Sequence, residues 1–411
     1  MKYFFPLVLA IFLSAPVLAQ EEFPTFNVHG LIDLRAVQTD DQVGWLDDGL
    51  GKTRFGGKRG EGSRHTGALG DASLILRSRF NWSTGGYLHL KFDKDQKTPI
   101  DVAEAFVTVK PVSTSQWRFG FKIGSFLPPV SLENVDEAWQ SPYTISWSAI
   151  NSWIGEDIRT TGAEATGRYR YDGGGVTLGG ALFFGNDLSG TILEKRGWAL
   201  HDRLTTLSGN IPQPATSATF DSPGDIEPFK EVDDRPGFYL FTHGEDEDIG
   251  GEILITLYDN LADDAGTRRG HPAWRTRFAA AGFVYDLPHG IELLSQFMYG
   301  DTRRQLTGVN EFDVVYAAAY VMLSGFVDED EIHRLSLRHD RFGIDERDAF
   351  ARNSNEIGDA WTAAYSYRPD DTHRLTFEAL TVRSKRASRL STGISAVQRD
   401  TTLQASYRFS F

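Results

Sequence analysis

The chain has 411 residues, of which 42 are basic and 56 are acidic, and its net charge is −14. This balance argues against a nucleic-acid binder, because phosphate contacts need a basic surface. The absence of cysteine excludes disulfide bonds and thiolate metal sites. Mean hydropathy is −0.32, and beyond the N-terminus no apolar segment approaches the ~18 residues of a membrane-spanning helix.

Residues 1–19 have the parts of a secretory signal peptide. Lys2 supplies a positive charge, Tyr3 to Leu13 is almost entirely apolar, and a small residue, Ala19, precedes the expected cleavage point. We therefore expect one domain over residues 20–411.

Short segments with alternating apolar and polar residues then recur along the chain. In one of them Trp117, Phe119, Phe121 and Ile123 alternate with polar residues or glycine. This period of two predicts β-strands with one apolar face. A barrel strand needs only about 10 such residues to cross a membrane, so it leaves no trace in a hydropathy average.

The connections between these segments alternate between short and long. Short turns are predicted near residues 83–86, 111–115, 172–175, 244–248, 287–290, 324–329 and 369–372. Longer loops are predicted near 39–71, 94–100, 125–158, 186–235, 259–272, 301–310, 342–357 and 384–396. Together they join sixteen antiparallel strands, with both termini on the short-turn side, as in bacterial membrane barrels. If the segment 186–235 contains a hairpin, the barrel has eighteen strands instead. The two features with the weakest sequence signal are the strand near Gly237 to His243 and the loop near 94–100.

Aromatic residues at the strand ends favour an all-β transmembrane barrel over a soluble β-sandwich or a secreted β-rich enzyme. They lie on the apolar face, where interfacial girdles belong. These residues are Trp82, Trp117, Tyr169, Tyr171, Phe297, Tyr299, Trp361, Tyr367, Tyr407 and Phe409.

The opposite face of the strands carries more basic than acidic residues, the reverse of the whole chain. A sixteen-stranded barrel leaves an aqueous channel, so this face would line water and attract anions. The basic residues predicted to line the pore include Arg77, Arg79, Arg118, Lys122, Arg168, Arg170, Arg275 and Arg277. Contacts with lipopolysaccharide and salt bridges across the wall are the alternative roles for these side chains.

The third long connection, Ser125 to Ile158, is too long and too apolar for a solvated loop. It contains four Trp or Tyr residues together with the acids Glu133, Asp136 and Glu137. We expect this loop to fold into the barrel and to narrow the channel.

The last strand, Leu403 to Phe411, puts Tyr407, Phe409 and Phe411 on one face and Arg408 on the other. It resembles the closing strand of bacterial outer-membrane barrels, which typically end in an aromatic residue that the assembly machinery reads.

With the signal peptide, alternating strands and in-folded third loop, the chain resembles the bacterial outer-membrane porins over its whole mature length. Gly120 to Glu133 also resembles the segment before the constriction of phosphate-selective-type porins. The resemblance implies a constriction in which Glu133, Asp136 and Glu137 face four wall residues, and it implies a homotrimer. The wall residues would be Arg77, Arg79, Arg118 and Lys122.

The sequence thus predicts an outer-membrane channel for passive diffusion of small hydrophilic solutes, with a preference for anions and no catalysed reaction. A barrel enzyme of lipase or protease type and a polysaccharide export pore are the alternatives. Outer-membrane lipid, lipopolysaccharide and the assembly machinery are the expected partners. No cofactor is expected, although the acidic runs Glu245 to Asp248 and Asp259 to Asp264 offer oxygen ligands for Ca²⁺.

Overall fold

A computed structural model describes residues 23–47, 49–57, 62–214, 225–268, 271–306, 309–348 and 354–411. The predicted signal peptide lies outside these residues. No helix in the described ranges combines the length and the apolar character needed to cross a bilayer.

Sixteen antiparallel strands form a closed barrel in which each strand pairs with its sequence neighbours and the first pairs with the last. In chain order, β1 to β16 are Thr25–Thr39, Arg64–Arg79, Thr84–Phe92, Ile100–Val109, Trp117–Phe126, Thr160–Tyr171, Gly174–Phe184, Gly237–Asp246, Gly251–Asp259, Arg275–Leu287, Ile291–Leu306, Val309–Phe326, His333–Glu346, Glu356–Tyr367, His373–Arg386 and Val397–Ser410. The prediction of a sixteen-stranded barrel is confirmed, including β8. In its described part, the segment 186–235 adds no barrel strand.

Shorter elements lie in the connections. The α-helices among the described residues are α1, Ala149–Asp157, and α2, Thr191–Lys195. Single 3₁₀ turns cover Trp45–Asp47, Glu137–Trp139 and Ala387–Thr392. A two-residue ladder pairs Thr267–Arg268 with His271–Pro272.

The long connections lie at one end of the barrel and the short turns at the other, which for bacterial barrels are the extracellular and periplasmic ends. We name four of them L1 (residues 40–63), L2 (93–99), L3 (127–159) and L4 (185–236). Two predicted loop bounds are wrong. The first loop was predicted to end at residue 71, but L1 ends at 63 because β2 already begins at Arg64. The loop predicted at 301–310 is mostly strand, because β11 extends to Leu306 and β12 begins at Val309.

Alternation sets the two faces of the barrel. Leu403 and Tyr407 of β16 are exposed on the outside, whereas Arg408 is buried inside, as predicted. Next to β16, the Gly30 N–H of β1 donates to the Phe411 carbonyl at 2.8 Å, and the Phe411 N–H donates back to Gly30 at 3.0 Å. The chain end therefore extends the seam that closes the barrel.

Candidate functional site

L3 folds into the lumen, as predicted, and follows one wall of the barrel. On its first leg the Val130 carbonyl accepts a hydrogen bond from the Gln296 side chain of β11 at 2.7 Å. Further on, Glu133 accepts from Arg338 of β13. L3 therefore leaves the β5 edge and passes along the far side of the lumen.

The tip of L3 bridges the lumen. Asp136 accepts from Arg374 of β15 at 2.9 Å, and Glu137 pairs with Arg77 of β2. All three predicted loop acids thus meet basic wall residues, and of their four predicted wall partners Arg77 is the one that pairs with them. Because β15 and β2 lie on either side of the β1/β16 seam, these contacts fix the tip against that part of the wall.

The returning part of L3 is helix α1, which is anchored by apolar packing. Ser148 caps its N-terminus, accepting from the Asn151 N–H at 3.3 Å. The Trp153 ring packs edge-on against Phe278 of β10 and Tyr316 of β12, with centroids 5.6 and 5.3 Å apart. L3 thus covers the wall from β9 to β16, reaches β2 with its tip, and leaves most of the wall from β2 to β8 facing the remaining space.

The extracellular half of the lumen is filled. Every residue from 186 to 206 in L4 is buried, and Trp45 and Lys52 of L1 are fully buried as well. Inward-facing side chains from all round the wall are less than 9% exposed at this level; examples are Val37, His89, Phe183, Tyr239, Tyr258, Phe278, Tyr316, Phe342, Val382 and Thr402. In the described part of the chain, L1, L3 and L4 together close this half of the barrel.

Buried ion pairs join these loops to one another and to the wall. Glu156 of α1 makes a two-point contact with Arg196 of L4, at 2.9 and 2.6 Å. Asp202 of L4 pairs with Arg35 of β1 at 2.6 Å and with Arg54 of L1 at 3.1 Å. The cationic partners hold the pKa values of Glu156 and Asp202 well below their usual range despite burial.

The periplasmic half keeps a water-accessible basic wall. Arg77 is 43% exposed, and Lys122 is 24% exposed with its Nζ 3.0 Å from the Glu164 carboxylate. Arg168 pairs with Glu245, and Arg118 donates to the Ser115 carbonyl. The predicted residues on the lumen face of this wall are Arg77, Arg79, Arg118, Lys122, Arg168 and Arg170.

Two predicted pore-lining arginines lie on the wrong face. In β10 the buried, inward-facing residues are Thr276, Phe278 and Ala280, so Arg275 and Arg277 point outward. The prediction assumed that the apolar face of each strand faces lipid. In β10 the apolar face points inward instead, because it packs against Trp153 of α1.

Glu133 does not line a water-filled space either, since its side chain is fully enclosed. It accepts from the Ser148 N–H at the start of α1, at 3.0 Å, and pairs with Arg338. A carboxylate at a helix N-terminus interacts favourably with the positive end of the helix dipole. Glu133 therefore holds α1 in place.

The closing role of L4 was missed from sequence. Its signal was the same as for L3, a long connection with apolar residues such as Trp198, Leu200 and Leu204, all of which are buried.

The acidic runs predicted as candidate Ca²⁺ ligands are largely paired with arginine: Glu245 with Arg168, Asp259 with Arg275 and Asp264 with Arg303. Within the described ranges, one group of carboxylates is close enough to share a cation, with ligand atoms within 4.8 Å of one another. Its members are Asp187, Glu231 and Asp233 of L4.

Comparison with known proteins shows likeness in structure alone. No protein-family model and no curated protein matches the chain. The anion-selective porin of Comamonas acidovorans superposes with a TM-score of 0.55 at 12% identity, covering 94% of this chain and 100% of that one. The outer membrane channel DcaP of Acinetobacter baumannii gives 0.59 at 11% identity, covering 94% and 97%. A trimer form of OmpT, an outer membrane protein of Vibrio cholerae, gives 0.54 at 9% identity, covering 95% and 100%. The chain therefore has the sixteen-stranded fold of these outer-membrane proteins.

Proposed function

We propose that the protein is a multi-pass channel of the bacterial outer membrane that passes small hydrophilic solutes and favours anions. Its apolar outer face suits lipid, and a closed barrel satisfies its backbone hydrogen bonds within the bilayer. Exposed outer residues include Phe119, Leu182, Ile253 and Trp361.

The observation that carries this proposal is the charge of the water-accessible wall. Six cations lie on the lumen face of β2, β5 and β6, and three carboxylates, Glu137, Glu164 and Glu245, pair with them. A surplus of fixed positive charge along a narrow space raises the local concentration of anions and repels cations. The likeness to the Comamonas anion-selective porin agrees with this preference.

The assembly proposed is a homotrimer, which the trimer form among the similar structures supports. Native mass spectrometry in detergent tests this state directly. Lipopolysaccharide on the outer surface and the assembly machinery at the closing strand are proposed partners.

The test of the channel is the reversal potential of the purified protein in a planar bilayer under a KCl gradient. Wild type should favour Cl⁻. Replacing three wall cations, Arg77→Gln, Arg79→Gln and Arg118→Gln together, should move the reversal potential toward K⁺ because the fixed positive charge falls.

The control replaces Arg275→Gln and Arg277→Gln, which removes two positive charges from the outer face of β10. Its reversal potential should equal that of wild type. A K⁺-selective wild type, or a triple variant with unchanged selectivity, would refute the anion preference. Substrate hydrolysis without conductance would instead favour a barrel enzyme.

A further inference from the structure

Residues Arg203–Asn210 of L4, which we name the strap, cross from the top of α1 to the β3–β4 edge of the barrel. The Arg203 Nε donates to the Asp93 carboxylate of L2 at 2.9 Å. The Leu207 N–H donates to the Val102 carbonyl of β4 at 2.8 Å. The strap thus covers the extracellular end of the basic wall.

Further hydrogen bonds complete the contact. The Ser208 hydroxyl donates to the Asp101 carboxylate of β4 at 2.6 Å. The Gln96 side chain of L2 makes two more hydrogen bonds with the strap. It donates to the Leu204 carbonyl at 3.1 Å and accepts from the Thr206 N–H at 3.0 Å. These named contacts between the strap and the wall are hydrogen bonds. Water can replace such bonds, so their net contribution to holding the strap is modest.

The strap differs in this respect from α1, which is held by the packing of Trp153 on Phe278 and Tyr316. Removing α1 from its wall would expose large aromatic surface to water. Detaching the strap exposes mainly groups that water can solvate, with Leu204 as its one fully buried apolar side chain. Of these two segments, the strap is the one that moves at lower cost.

Directly beneath the strap lies a buried arginine whose hydrogen-bonding capacity is only partly used. Arg159 donates from Nη2 to the Thr205 carbonyl at 3.0 Å, while its Nε and Nη1 have no hydrogen-bond partner. Its guanidinium interacts electrostatically with Glu104, which also interacts with Lys122 of the open wall. Burying unsatisfied donors costs free energy, so the closed arrangement carries a penalty at this point.

We propose that the strap is the extracellular gate of the channel. When it detaches from L2 and β4, Arg159 becomes hydrated and joins Lys122 and Arg77 in one basic path from the outside to the periplasm. The inference rests on the proposed channel function and adds its regulation: the closed form described here does not conduct, and opening requires strap movement but no movement of α1.

The test is a reversible covalent lock. The chain has no cysteine, so the pair Asp101→Cys and Ser208→Cys, whose native side chains are in contact, would form the sole disulfide and fix the strap to β4. In planar bilayers the reduced pair should conduct and should open at least as often as wild type, because it lacks the hydrogen bonds between Ser208 and Asp101. The oxidised pair should lose its open events, and reductant should restore them.

The matched control is Ile211→Cys with Ile226→Cys, an antiparallel bridge inside L4 whose backbone bonds measure 2.8 and 2.9 Å. Its disulfide leaves the strap untied from the wall, so oxidation should not change its conductance. A second variant acts in the opposite direction: Arg203→Gln removes a charge-assisted bond and should raise the open-to-closed ratio about tenfold.

The outcomes separate the gate from the channel. If the oxidised 101–208 pair conducts like the reduced pair, or if Arg203→Gln leaves the open-to-closed ratio unchanged, the gate proposal is wrong and the channel function stands. If wild type and all reduced variants insert as folded barrels but never conduct, the channel function itself fails.

Discussion

At the scale of single residues, the interior is organised by buried charges that act as anchors. Arg338 is fully buried and pairs with Glu133 of L3 and with Asp340 of its own strand, the latter at 2.8 Å. It also donates to the Ser146 carbonyl of L3 at 2.9 Å. One guanidinium therefore ties the start of α1 to the barrel wall.

Replacing Arg338→Met should destabilise the folded barrel by about 3 kcal/mol, because Glu133 and Asp340 would remain buried without their cationic partner. Denaturant unfolding in lipid vesicles measures this loss. Arg347→Met serves as the control, since Arg347 and its partner Asp345 are 53% and 68% exposed, and its unfolding midpoint should match wild type. An Arg338→Met protein as stable as wild type would show that Arg338 is not an anchor.

The sequence predicted residue positions where strand alternation alone decides them. Arg408 and Arg77 lie inside because a membrane barrel normally has an apolar outer face and a polar inner one. This rule failed for Arg275 and Arg277, because the inner face of their strand packs against apolar side chains while the outer face carries ion pairs with Asp259 and Asp301. Strand alternation also cannot tell which loop acids are exposed. Asp136 is one-third exposed and Glu133 is enclosed, because the packing of the loop depends on contacts between residues distant in sequence.

At the scale of elements, the junction between α1 and L4 contains an acid that titrates near neutral pH. Asp157 ends α1 and accepts from the Gly190 N–H of L4 at 2.7 Å and from the Trp153 indole at 2.9 Å. Burial raises its pKa to about 7, and the neighbouring Glu156 adds to the shift while Arg196 opposes it. The buried site thus favours the protonated acid.

A raised pKa fixes the sign of the pH dependence. The packed junction binds the proton more tightly than a solvated Asp157 does, so its stability is full below pH ~4 and falls as pH rises toward 7. Asp157→Asn mimics the neutral acid and should remove this loss. We expect hydrogen exchange of L4 amides to be slower in Asp157→Asn than in wild type at pH 8, with a much smaller difference at pH 5.

Asp187, also in L4, requires a control because burial and the carboxylates of Glu231 and Asp233 raise its pKa to about 7 as well. Wild type and Asp157→Asn are therefore compared at the same pH. The intrinsic exchange rates and the contribution of Asp187 are then the same in both proteins and do not affect the difference. Equal exchange at pH 8 would mean that Asp157 stays protonated there or that L4 does not depend on its charge.

Element order and element packing differ in how far sequence can predict them. Turn residues and alternation located the sixteen strands, because each strand is a local pattern. The in-folding of L3 was predictable from its apolar content. The joint plug of L1, L3 and L4 was not, because pairs such as Arg35 with Asp202 join residues far apart in the chain.

At the scale of the whole molecule, charge is divided by location. The chain is acidic overall, yet its water-accessible lumen wall is basic. Acidic residues gather instead at exposed periplasmic turns, including the runs Glu247–Asp248 and Asp328–Glu331. A permeating ion is affected most by the charges within about one Debye length, so the wall and not the net charge should set selectivity.

This division predicts how selectivity depends on salt. The Debye length is about 10 Å at 0.1 M and about 3 Å at 1 M, so screening should weaken the field of the wall across the passage. The Cl⁻ to K⁺ permeability ratio should be well above 1 in 0.1 M KCl and should approach 1 in 1 M KCl. The variant lacking the Arg77, Arg79 and Arg118 charges should show a smaller salt dependence. A wild-type ratio independent of salt would mean that anions are selected by direct contact with individual side chains, which salt screens weakly, and not by the summed field of the wall.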